Sequence, residues 1–140
     1  MTSETFQEFQ PYGLEEGEEY MNDKQKAHFQ GILTAWKEAL MEESKRTVNH
    51  MKDEHLHLAD PNDRASQEEE FSIELRTRDR ERKLLRKIEK ALNRLSSDDY
   101  GYCESCGVEI GIRRLEARPT AELCIDCKHL EERKEKNQAA

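Results

Sequence analysis

The chain has 140 residues, only 34% of them apolar and 39% charged, and its 31 acids against 23 lysines and arginines leave a net charge of −8. So little apolar material argues against a large compact core and against any membrane-spanning segment, and the acidic balance argues against unspecific binding to DNA phosphates. With three prolines and six glycines there are few breakers. The composition fits long solvated helices that each bury one narrow stripe.

Residues 1–21 contain six glutamates and no lysine or arginine, and Pro11, Gly13 and Gly17 interrupt any period, so a flexible acidic tail is expected. Its aromatics Phe6, Phe9, Tyr12 and Tyr20 are candidates for docking. The opening Thr2, Ser3, Glu4 and Thr5 offer neither a basic start nor an apolar run, so the sequence predicts a cytoplasmic protein with a protein partner. Asn22 followed by Gln25 resembles a capping box. From there Phe29, Leu33, Trp36 and Leu40, spaced 4, 3 and 4, make one helical stripe, continued more weakly by Thr47, Val48 and Met51. Trp36 on this stripe reads as seam or partner packing.

Asp60-Pro61-Asn62-Asp63 is a turn followed by a helix start. A second helical pattern runs from about Asp63 to Leu95 without a glycine or proline. Phe71, Leu75, Arg78, Arg82, Leu85, Ile88, Leu92 and Leu95 hold 3/4 spacing along it. Two helices of about 35 residues joined by a short turn predict an antiparallel coiled-coil hairpin about 50 Å long over residues 22–99, its tip near 59–66. Charge is divided along it. Asp53–Glu74 holds eight acids and one base, net −7, whereas Arg76–Arg94 holds nine bases and three acids, net +6. A plain solvated helix accounts for such runs, but so does an acidic tip that enters something cationic above a basic root that receives something anionic.

Residues 100–140 are expected to form a second module. Cys103 and Cys106, then Cys124 and Cys127, make two C-x-x-C pairs seventeen residues apart. Each pair can supply two thiolates to one tetrahedral zinc, and Gly107 suits a tight knuckle. Two disulfides or an iron–sulfur site are the alternatives. Four thiolates would leave no open coordination position, so the zinc is structural. A short helix is expected over about Lys128–Lys136, with 137–140 frayed. His50, His55 and His57 do not share one helical face and are not read as a metal site. No nucleophile–base–acid order or phosphate-cradling glycine loop is present, so an enzyme is not expected. The predicted fold is therefore mainly α: a long antiparallel coiled-coil hairpin, a small four-cysteine zinc-finger module and a short C-terminal helix.

The run Gly101-Tyr102-Cys103-Glu104-Ser105-Cys106-Gly107-Val108-Glu109-Ile110-Gly111-Ile112-Arg113-Arg114-Leu115-Glu116-Ala117-Arg118-Pro119-Thr120 and the helix start Asp60-Pro61-Asn62-Asp63-Arg64-Ala65 resemble the DksA/TraR family of RNA-polymerase-binding zinc-finger transcription factors. The likeness extends from about Glu18 to Lys128. The acidic tail is shorter than in that pattern, Asn62 replaces an apolar tip residue, and Ser66 stands where alanine is expected. The resemblance implies a monomer whose hairpin enters the secondary channel of RNA polymerase, without specific DNA binding. It gives Asp60, Asp63 and Ala65 a role at the tip, altering promoter open complexes. It also implies a response to guanosine tetraphosphate (ppGpp), the stringent-response alarmone, with Lys87, Arg118 and Lys128 as the first expected contacts and Leu84, Arg80 and Arg114 beside them. The readings that compete are a sequence-specific DNA-binding zinc protein and a transcript-cleavage factor that uses its tip acids to hold magnesium in the same channel.

Overall fold

In the computed structural model, residues 12–13, 16–55 and 61–139 are described, with the side chains of 51, 53–55, 61–64 and 139 left aside. Helix α1 spans Asp23–His55 and α2 spans Pro61–Ser96, 33 and 36 residues. The small α3 spans Ile112–Ala117 and α4 spans Ile125–Ala139.

The start of α1 follows from its capping residues. The Gln25 amide donates to Asn22 Oδ1 at 2.8 Å, and Gln25 Oε1 accepts from the Met21 amide at 2.7 Å, so two otherwise orphan donors are satisfied reciprocally. Helix α2 opens on Pro61, whose fixed φ suits the first helical position and whose missing N–H costs nothing there. The helices run antiparallel: Lys26 pairs with Asp98 at 2.6 Å, Lys37 with Glu89 at 3.8 Å and His50 with Glu74 at 2.8 Å.

The seam of α2 differs from the sequence expectation at two positions. Leu75 is 42% exposed and Arg82 faces solvent, while Glu74 is half-buried and Glu81 is buried. Inward residues recur every seven positions on two tracks, Phe71, Arg78, Leu85 and Leu92 on one and Glu74, Glu81, Ile88 and Leu95 on the other, with Leu84 and Ala91 widening the inward face at the root. A coiled coil holds its register through a polar stretch because slipping by one position would unseat the apolar residues at the root. Register therefore outweighs local hydrophobicity at 75 and 82.

Apolar burial is concentrated at the root. Phe29, Ile32, Leu33, Trp36 and Leu40 of α1 pack with Ile88, Ala91 and Leu95 of α2, and the same core continues through Tyr100, Ile110, Ile112 and Leu115 of the zinc module. Among the described side chains, none between residues 41 and 80 is fully buried. Glu81 stands at the boundary, and one of its carboxylate oxygens has no hydrogen-bond partner. Burial, then the charge of Glu43, pushes its carboxyl above the ordinary glutamate range, against a hydrogen bond with Ser44.

Candidate functional site

The zinc module is a compact fold built around two knuckles. The first closes through the Cys103 amide to Val108 O at 2.8 Å and the Gly107 amide to Cys103 O at 2.9 Å, with Gly107 at φ 79°, the left-handed region that its lack of a Cβ permits. The second is the start of α4: the Cys127 amide donates to Cys124 Sγ at 3.5 Å and the Lys128 amide to Cys124 O at 2.9 Å. Helix α4 thus begins at Ile125, three residues ahead of the sequence expectation, because the metal-binding turn itself serves as its cap. The Glu104 amide donates to Glu122 O at 2.8 Å and ties the knuckles together.

All four cysteines are unbridged, and their sulfurs lie within 4.8 Å of one another, with Cys106 and Cys124 at 3.7 Å. Sulfurs at the corners of a tetrahedron around zinc stand just under about 4 Å apart, given a bond of about 2.3 Å. The donor set therefore fits one zinc held by Cys103, Cys106, Cys124 and Cys127, and the disulfide alternative falls. Burial opposes ionisation of Cys103, but hydrogen bonds from the Cys124, Cys106 and Ser105 amides outweigh it and hold the thiol down to about 6. Cys127, crowded by the thiols of Cys124, Cys106 and Cys103, is pushed up to about 12. A bound zinc supplies the charge that ionises all four.

The module is fastened to the hairpin root on two sides. Buried Tyr100 packs its ring 5.7 Å from that of Phe29 in α1 and donates to Pro119 O at 2.7 Å within the module, and its phenol is raised by desolvation. Upstream of α1, Tyr20 Oη donates to Gly101 O at 2.6 Å and accepts from the Gly111 amide at 3.0 Å. Gly101 sits at φ 90°, and a Cβ there would come within 2.9 Å of Met21 Cγ, so this close approach requires glycine. Glu116 Oε1 accepts from the Tyr12 amide at 2.7 Å and lies 2.6 Å from His28 Nε2. Two of the four candidate docking aromatics, Tyr12 and Tyr20, are thus packed against the module; Phe6 and Phe9 lie outside the described residues.

Between root and module lies a cleft of about 500 Å³. Lys87 and Leu84 reach it from α2, Arg114 from α3, Arg118 from the turn after α3, and Lys128 from α4. Five of the six residues expected around an anion therefore share one cavity. Arg80, two turns nearer the tip and exposed, is not among its lining residues. Arg114 is held by its Nε hydrogen bond to Leu123 O at 3.0 Å. Lys128 stands 3.9 Å from Glu131. Trp36 forms part of the same wall, a role its place on the helical stripe did not disclose. Of the tip residues, Ala65 is exposed, Asp63 lies in the first turn of α2, and Asp60 lies outside the described residues.

Comparison with known proteins follows this division of the chain. The family model described as the DnaK suppressor protein DksA N-terminal domain matches residues 25–95, and that of the prokaryotic dksA/traR C4-type zinc finger matches residues 98–133. The chain belongs to the DksA/TraR family. This DksA/TraR protein is 65% identical over 130 residues to the RNA polymerase-binding transcription factor DksA of Escherichia coli K12, covering 93% of the chain and 86% of that protein. It is 63% identical over 129 residues to the DksA of Haemophilus influenzae, covering 92% and 89%. The solved structure of transcription factor DksA2 from Pseudomonas aeruginosa superposes with a TM-score of 0.78 at 39% identity, over 84% of this chain and 90% of that one. Among the described residues, no helix is long and apolar enough to cross a membrane.

Proposed function

We propose that this chain is a cytoplasmic, monomeric transcription factor that binds RNA polymerase, inserts its hairpin into the secondary channel and modulates promoter open complexes together with ppGpp. The observation that carries this reading is the extent of the family match. Hairpin and zinc module are both matched, and the likeness covers 86% of a relative named as an RNA polymerase-binding factor, which supports the same mode of binding here.

The physical account starts at the root. Lys87, Arg114, Arg118 and Lys128 converge from three helices and one turn over an apolar wall of Trp36 and Leu84. Converging cations with an apolar wall suit a nucleotide that carries phosphates and a base. In this reading the polymerase rim closes the open side of the cleft, and the ligand lies between the two proteins. The hairpin then projects the tip about 50 Å away from the bound knob. Asp60 and Asp63 meet cationic groups or mobile elements near the catalytic centre, with Ala65 beside them. Zinc takes no part in chemistry; Cys103, Cys106, Cys124 and Cys127 hold it as the staple that fixes Arg118 and Lys128 against α2.

The test is binding of the labelled chain to core RNA polymerase in the presence of a factor that occupies the secondary channel. Saturable binding, displaced by that competitor, is expected. Binding that survives saturating competitor would remove the channel from the account, and binding to free promoter DNA in its place would restore the DNA-binding alternative.

A further inference from the structure

The cleft assigned to an anion also contains carboxylates. Glu104, from the first zinc knuckle, and Glu122, from the approach to the second, line it beside Lys87, Arg114, Arg118 and Lys128. Glu131 of α4 is a third, 3.9 Å from Lys128, and anions in an anion site need an explanation, because each repels a phosphate at short range. Lys90 supplies one. Its ammonium lies 3.0 Å from Glu104 Oε1 and 3.2 Å from Glu122 Oε2, one turn along α2 from Lys87. Arg94 adds a weaker contact, 3.8 Å to Glu104 Oε1, but its guanidinium is otherwise held by the carbonyls of Tyr102 at 2.7 Å and Asp99 at 3.0 Å.

We propose that Glu104 and Glu122 set the anion affinity of the cleft, and that Lys90 is the countercharge that keeps the cleft receptive to phosphates. The proposal rests on the anion-site reading of the cleft. A mechanical clamp is the simpler role for a lysine that touches both knuckles, yet such a role is weak here. Lys90 is half-exposed, and exposed ion pairs contribute little to holding two bodies together. The module is also fastened independently by the packing of Tyr100 on Phe29 and by the hydrogen bonds of Tyr20 and Arg94. What no other group supplies in full is neutralisation of both carboxylates. Lys90 in turn is held in its charged form, first by Glu104 and then by Glu122.

The two roles give effects of opposite sign. If Lys90 acts as countercharge, Lys90→Met weakens ppGpp binding by about three- to tenfold, and the Glu104→Gln/Glu122→Gln double variant tightens it. Adding both glutamine substitutions to Lys90→Met then restores affinity to the unsubstituted level or better. If Lys90 is a clamp, removing the two acids weakens binding as removing the lysine does, and the triple variant is not rescued. The measurement is binding of radiolabelled ppGpp to the zinc-loaded chain in complex with RNA polymerase, above the signal of polymerase alone, at two salt concentrations. Trp36 is the chain's one tryptophan and lines the cleft, so unchanged emission of each free variant shows that the module has not moved. Weakened binding by the glutamine double variant overturns the proposal while leaving the cleft as an anion site. Absence of any signal above polymerase alone, with Lys87→Ala and Arg118→Ala equally silent, overturns both.

Discussion

One phenol braces the zinc module where it is buried against the hairpin root, its ring 5.7 Å from that of Phe29. Tyr100 gives its proton to Pro119 O from a position only 3% exposed, and no water can replace that donor without opening the core. Tyr100→Phe is expected to lower stability by about 1–2 kcal/mol with zinc content unchanged, as denaturant unfolding with metal analysis will show. Glu81 is the converse case, a buried carboxylate with one oxygen left without a hydrogen-bond partner. Its raised titration means that its favourable contribution is present below the ordinary glutamate range and is lost as pH rises through the shifted value. Glu81→Gln should therefore stabilise the chain by about 1 kcal/mol at pH 7 and leave it nearly unchanged at about pH 4, where Glu81 is already protonated. Equal effects at both pH values would assign the gain to packing instead of charge.

Helices and knuckles divide into what the sequence displayed and what it hid. The two C-x-x-C pairs disclosed a tetrahedral thiolate set because ligand spacing is local, and the Asn22/Gln25 pair disclosed the start of α1 for the same reason. The inward face of α2 was hidden at Leu75 and Arg82: apolarity nominated Leu75, but the heptad register fixed at Ile88 and Leu95 carried Glu74 and Glu81 inside. Glu104 and Glu122 could not be read as cleft residues at all, since only the folded knuckles bring them beside Lys87. Trp36 shows the same limit, one helical stripe serving both seam and cavity. At this scale, chelation of zinc should abolish the near-ultraviolet signal of Tyr100 and Tyr102 while most of the far-ultraviolet helical signal remains, because the long helices keep the Phe29–Leu40 seam. Amides of 41–50 and 65–80 are expected to exchange with solvent at least about tenfold faster than those of 29–40 and 84–95, measured by hydrogen–deuterium exchange. Uniform protection along the hairpin would contradict the burial gradient.

The whole molecule is a knob with a projecting hairpin, and its two ends answer to different constraints. At the tip, Asp63→Asn should spare zinc binding, helicity and polymerase affinity, within about twofold, yet reduce regulation of sensitive promoters in transcription assays. Parallel loss of affinity and regulation would dissolve the distinction between holding and acting. That distinction has a root in the burial gradient, which ends at Leu40 and Glu81. Because none of the described side chains in the outer half of the hairpin belongs to the hydrophobic core, residues 41–50 and 65–80 can be rewritten without disturbing the packing at the root. Inheritance thus receives two separable texts in one chain: a root whose wording is fixed by packing, and an outer stretch free to acquire new regulatory meanings.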